Sequence, residues 1–205
     1  PNTRIGVASH SPISYTTSGS VNFGNGPAAL AAALPDGAVQ ADIKMPASAS
    51  VSVFHKLNPK WDLLTDISWT EWSSVTALNI VRSNGALLTT TPLNWSDTWR
   101  LSVGANYHVN SAWTLRMGLA YDESPVPDAD RTPRIPDNDR TWLAFGGQYR
   151  LSKQSAIDFG YAYLHVKDPS VNLCGPATAA TLGCRGKNNL VGNYDNSVHI
   201  FSAQY

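Results

Sequence analysis

The chain has 205 residues, enough for one sizeable domain, and its 15 basic and 15 acidic side chains give a formal net charge of zero. That balance excludes the basic stripe expected of a nucleic-acid binder, and no apolar run of about 18 residues offers a transmembrane helix. Charged residues make up only 15% of the chain, while 7 tryptophans and 8 tyrosines are present.

The chain opens Pro1-Asn2-Thr3, with neither an initiator methionine nor a leader, so we expect a piece of something longer. A first strand is expected near residues 3–15. A long connector follows over 16–38 and holds "PAALAAAL" after "FGNG". Proline starts a helix well, and alanine and leucine continue one, so a short apolar helix is expected at 27–34.

From 39 onward the signal is a period of two. Val39, Ala41, Ile43, Met45, Ala47, Ala49, Val51 and Val53 alternate with polar or small partners, which predicts one strand over 39–53. A tight turn is expected at 55–60. The same odd parity recurs in Trp61, Leu63, Ile67 and Trp69, and the stretch 78–94 reads as a long loop. Strands are then predicted over 95–109 and 113–121, with a tight turn at 110–112 between them.

The stretch "DESPVPDADRTPRIPDNDRTW" comes next, a proline-rich and charged connector whose loop spans 123–139. Strands over 143–151 and 157–163 flank a tight turn at 152–154. The last long loop, 167–196, contains Cys174 and Cys184, and a final strand is expected near 198–205.

These are eight strands with hardly any helix, so the fold class is all-β. Short connectors alternate with long ones, aromatic residues gather at both strand ends, and the strands reach the length that spans a bilayer. Together they predict a transmembrane antiparallel β-barrel with odd positions toward lipid. Asp62, Asp66, Arg100, Asn106, Arg116, Gln148, Arg150 and Asp158 carry the inward parity.

Several stretches resemble the FadL/TodX family of outer-membrane transporters for long-chain fatty acids and other hydrophobic compounds. These are "AYDESPVP", "IPDNDRTWLAFGGQY", the opening "TRIGVASHS" and "DISWTEWS". The resemblance covers nearly the whole chain as the C-terminal half of that family. It implies the last eight strands of a fourteen-stranded barrel, with residues 1–205 forming part of a single outer-membrane domain. The same resemblance implies that the family's N-terminal hatch and first strands lie outside these residues.

The resemblance also implies location in the bacterial outer membrane and passive transport of a long-chain fatty acid or other hydrophobic small molecule. The surroundings would be outer-membrane lipid and lipopolysaccharide, and the expected state is a monomer. The alternative is a small structural or adhesive outer-membrane barrel with no transport role. No HExxH or GxSxG motif occurs and the five histidines are scattered, so no enzyme, cofactor or metal is expected.

Candidate ligand contacts are Phe23, Leu30 and Leu34 on the first long loop, where helices of the family help form a surface groove. The other reading is a helix that only packs the loop. Arg100, with inward parity, could meet a carboxylate or pair with a wall aspartate. Some family members carry a base just after the leucine that corresponds to Leu78. Asn79 stands there in this chain and Arg82 is the nearest base, which leaves room for a neutral hydrocarbon.

Outer-face loops mature in an oxidising compartment, so Cys174 and Cys184 are expected to form a disulfide, the alternative being two free thiols. For 123–139, three readings stay open: a stiff, internally paired cap over the lumen, a solvated charged face, or a calcium site using Asp128 and Asp130 or Asp137 and Asp139.

Overall fold

A computed structural model describes residues 1–24, 35–173 and 190–205. The wall is one eight-stranded antiparallel sheet. It is built from β1 (Thr3–His10), β4 (Ser48–Asn58), β5 (Trp61–Thr70), β8 (Thr98–His108), β9 (Trp113–Asp122), β10 (Arg140–Arg150), β11 (Ala156–Val166) and β14 (Asn196–Gln204). They are hydrogen-bonded in that order, each to the next. Most are 10 or 11 residues long, which matches tilted crossing of a bilayer.

The remaining strands fold outside the wall. A four-stranded sheet contains β2 (Ile13–Val21), β3 (Gly37–Met45), β6 (Ala77–Arg82) and β7 (Leu87–Pro92). A two-stranded ribbon pairs β12 (Ser170–Leu173) with β13 (Leu190–Asn193).

This corrects two expectations. The single strand over 39–53 is two elements, β3 and β4, broken at Pro46-Ala47. The strand over 3–15 is β1 and β2, broken at Ser11-Pro12. Proline has no N–H to give a ladder, so each break lets the chain leave the wall sheet. Period two survives the break because both halves are strands, which is why alternation alone did not reveal it. The stretch 78–94 is mostly the β6–β7 hairpin. β8 starts at Thr98, so Trp95 lies before the strand.

The three short turns share one construction. Asn58 Oδ1 accepts the backbone N–H groups of Lys60 and Trp61 at 2.9 and 3.0 Å. Asn110 Oδ1 accepts those of Ala112 and Trp113, both at 2.9 Å. Ser152 Oγ accepts those of Gln154 and Ser155, both at 3.1 Å. Short polar side chains stabilise turns in this way.

Register places the odd residues together across the whole wall. Val53, Thr65, Val103, Leu119, Leu143 and Tyr163 follow one another as direct cross-strand partners. This face is the apolar one, and Val103, Leu119 and Phe145 are among its exposed members. Near the short turns Trp61 packs at a tilt against Tyr107 at 4.7 Å and Trp113 stacks on Tyr149 at 4.6 Å. Such rings suit a membrane interface.

Candidate functional site: a capped cavity at the loop end of the wall

The even side chains build the inner face. Near the short turns several of them are paired among themselves. His108 Nε2 lies 2.7 Å from Asp62, and Arg116 donates to Asp158 at 2.8 Å while Gln148 also donates to Asp158. Asp66 accepts the hydroxyls of Ser52 and Ser68. These charges are thus satisfied within the wall.

At the other end the wall is roofed. Residues 123–139 fold back over the inner face as a cap, and the charges in the loop explain how. Arg140 bridges Asp122 at 3.0 Å and Asp137 at 2.7 Å, tying both strand ends to the loop. Ser124 donates its N–H to Asp139 and its hydroxyl to Asp137. Tyr121 donates to Asp139 at 2.9 Å. Prolines 125, 127, 133 and 136 fix φ, and short turns close from Asp130 to Pro127 and from Ile135 to Thr132.

Arg131 anchors the cap. It is 2% exposed and donates to the carbonyls of Asp137, Ser170 and Val126, with Asp128 at 2.6 Å. A planar guanidinium can reach that many acceptors at once. The solvated-face reading therefore fails for Arg131 and Arg140. Of the two candidate calcium pairs, Asp137 and Asp139 hold Arg140, Ser124 and Tyr121, while Asp128 pairs with Arg131 and Asp130 accepts from Asn94, and no metal-ligand cluster occurs among the described residues.

Under the cap lies a cavity of about 680 Å³. Its apolar contributors include Trp72, Trp95, Val126 and Ile135, and its cations are Arg100, Arg134 and Arg140. Trp72 and Trp95 pack edge to face at 5.1 Å. Ser73, in the 3-10 turn Trp72–Ser74, donates its N–H to Asp97 Oδ1 at 2.9 Å. The Ser73 hydroxyl, then its backbone N–H, hold the Asp97 carboxyl below its ordinary range. Arg140 is committed to two acids. Arg100 and Arg134 form no ion pair with the described residues, and the Arg100 guanidinium lies 5.3 Å from the Trp142 ring. Buried Trp142 Nε1 has no acceptor among those residues.

The candidate residues do not converge on one place. Arg100 lines the cavity. Phe23 and Arg82 meet elsewhere, beside the four-stranded sheet. The Arg82 guanidinium sits 6.0 Å from the Phe23 ring and donates to the Pro35 carbonyl at 2.7 Å. Phe23 N–H donates to Asp36. Leu30, Leu34, Cys174 and Cys184 lie outside the described residues. Sequence reasoning missed Trp72, Trp95, Val126, Arg134 and Ile135 as cavity residues. The four prolines in the loop were the one usable signal, since they announced a fixed shape without saying what it covers.

A family model described as outer membrane protein transport protein (OMPP1/FadL/TodX) matches residues 1–205. The long-chain fatty acid transport protein of Escherichia coli (strain K12) is 32% identical over 130 residues, covering 63% of this chain and 29% of that relative. The 47 kDa outer membrane protein of Pasteurella multocida (strain Pm70) is 33% identical over 174 residues, 80% of this chain and 40% of the relative.

Among solved structures, that of a Pseudomonas aeruginosa FadL homologue superposes with a TM-score of 0.87 at 29% identity, covering 98% of this chain and 48% of the other. The P. putida toluene transporter TodX gives 0.59 at 18% identity, a likeness of fold alone. The chain spans less than half the length of each of these proteins.

Proposed function

Because this chain belongs to the OMPP1/FadL/TodX family of outer membrane transport proteins, we propose that it forms part of a passive channel for the uptake of hydrophobic molecules, with long-chain fatty acids first among them. Its strands are those of an outer-membrane β-barrel protein. In this reading further strands close the barrel, since the edges of β1 and β14 would otherwise face lipid unpaired. Nothing in the process requires a covalent step.

The observation that carries the proposal is the cavity under the cap. It offers tryptophan, valine and isoleucine surface beside guanidinium groups, at the end of the wall where the long connectors lie. An oily molecule gains free energy by leaving water for such a surface, about 25 cal/mol per Å² of apolar area. In this reading Arg100 and Arg134, which line the cavity, receive a carboxylate at one end of a chain. Phe23, with Leu30 and Leu34 of the same loop, belongs to an outer first-contact region in this reading. The pair Phe23–Arg82 shows that the loop root is held against the four-stranded sheet.

The test is uptake of radiolabelled oleate by a host lacking its own transporter and carrying the full-length protein. Arg100→Gln should lower uptake at limiting oleate and spare uptake of a neutral hydrocarbon. Leu30→Ser with Leu34→Ser should also lower uptake at limiting oleate while leaving the saturated rate. No uptake above the empty host would end the transport reading and favour the structural alternative.

A further inference from the structure

Ladder register runs unchanged through the breaks in the first hairpin. His10 opposes Ser48 in the wall, and Ile13 opposes Met45 in the outer sheet. Ser11-Pro12 and Pro46-Ala47 fall between them, outside any strand, and the shared register sets Pro12 opposite Pro46. Neither proline has an N–H, so bending at this point breaks no ladder bond of theirs.

The interruption extends across the sheet. The wall order β1-β4-β5-β8 is matched outside it by β2-β3-β6-β7, each outer strand adjoining its wall strand in sequence. The connections 11–12, 46–47, 71–76 and 93–97 therefore form one crease between the two sheets. Its segments are tied sideways to one another. Glu71 N–H donates to the Ala47 carbonyl at 2.9 Å, Leu93 and Asn94 donate to the Thr76 carbonyl, and Ser73 donates to Asp97. Asn94 takes a left-handed backbone, with φ of 46°, which asparagine tolerates better than most residues.

The crease meets the capped cavity. Trp72 and Trp95 stand in its last two segments and line the cavity together with Val126 and Ile135 of the cap. Ser96 N–H donates to the Pro125 carbonyl at 3.0 Å, and Asn94 Nδ2 donates to Asp130 at 3.1 Å, so the crease is fastened to the cap. The cap itself is held by Arg131 and Arg140, whereas the bond from Asn94 to Asp130 is exposed.

We infer that the outer sheet is a leaf that turns on this crease, drawing Trp72 and Trp95 away from the cap and opening the cavity, with Asn94 and Asp130 as the catch. The inference rests on the uptake reading above and adds to it how the cavity is entered. The cap is the fixed side, because its movement would strip a buried guanidinium of its acceptors. The crease is the moving side, because four interrupted strands bend there at the loss of few bonds. A single exposed hydrogen bond competes with water and is readily released, which suits a catch.

The experiment uses the full-length protein in a host lacking its own transporter. Asn94→Cys with Asp130→Cys is joined after assembly by a short bifunctional methanethiosulfonate, and each single variant treated alike is the control. Oleate uptake should fall toward that of the empty host when the bridge forms and return on reduction. Hydrogen exchange gives a readout independent of transport. Asp130→Ala should speed exchange in 71–76 and 93–97 by about two- to tenfold, the range one exposed hydrogen bond supports, and leave the wall strands unchanged. Pro12→Ala with Pro46→Ala restores two N–H groups to the ladder and should slow exchange around the break.

Full uptake by the bridged protein, or unchanged exchange in Asp130→Ala, would overturn the inference. Absence of oleate uptake in the unmodified protein would remove the uptake reading instead. The leaf would then stand or fall on the exchange results alone.

Discussion

Arg131 and Ser170 lie 39 residues apart, and the Arg131 guanidinium donates to the Ser170 carbonyl at 3.1 Å. One bond thus joins the cap between β9 and β10 to the first residue of β12, in the following long connector. The same side chain is 2% exposed, whereas its acidic partner Asp128 is 82% exposed. The energetic weight of Arg131 therefore rests on the carbonyls it satisfies more than on the ion pair, which is solvent-screened on one side.

Replacing Arg131 should loosen the cap without unfolding the wall. Each charge-assisted bond contributes about 1.5–3 kcal/mol, and alanine removes all of them. Limited digestion of the assembled protein with proteinase K should cut within 123–139 much faster in Arg131→Ala. Arg131→Lys should rescue it only in part, because one ammonium cannot reach the same set of acceptors. Equal cutting in all three proteins would show that the cap is held by Arg140 and the prolines alone.

Facing can be tested by one-residue contrasts. Val103 is exposed on the apolar face, and an arginine there should impair assembly by about 2–4 kcal/mol near the bilayer midplane. Ser102→Arg, on the inner face, should assemble normally. Gly104 is a poorer inward control, since a Cβ there would meet the Met117 carbonyl at 3.2 Å. Heat-modifiable gel mobility of the full-length variants reads the result. Loss from Ser102→Arg with Val103→Arg intact would invert the sides of the wall.

The contact between Ser73 and Asp97 should respond to acid in a defined direction. The Asp97 carboxyl is held below its ordinary value of 3.8, first by the Ser73 hydroxyl. A depressed carboxylate contributes fully above the ordinary value, and the contribution is lost as pH falls through the lower folded one. Hydrogen exchange of the Trp72–Ser74 turn, corrected for intrinsic rates, should stay slow until the pH is below 3.8. Asp97→Ala should exchange faster already at neutral pH. An unchanged profile in that variant would remove Asp97 as the anchor of this turn.

Cys174 and Cys184 are close in sequence and belong to a connector expected on the outer face, where thiols oxidise. Mass spectrometry of the exported protein without reduction should find the two joined in one peptide. Complete alkylation of both before reduction would show two free thiols.

How much of this was legible in advance depends on the range over which each feature is decided. Facing is local. Parity places Val103 outside and Ser102 inside because a strand turns over every second residue, whatever lies beside it. The number of wall strands and the two aromatic ends followed from the same period. So did the short turns, where an asparagine or serine stabilises its own next residues.

The course of the long connectors was not legible. Pro46 and Pro12 separate wall strands from outer strands, and a period-two pattern reads the same on both sides of such a break. The cap was harder still. Its sequence declares stiffness and charge, but a buried Arg131 needs the carbonyl of Ser170, and a cavity needs Trp72 and Trp95 beside Val126 and Ile135.

Alternation along the chain is enough to imply a wall of eight antiparallel strands with lipid on its odd side. Its period is set by backbone geometry, and its apolar face by the cost of leaving polar groups in hydrocarbon. Which charges cancel and where the cap lies emerge only once the chain is folded. Those depend on register between strands far apart in the chain, which no single strand's pattern encodes.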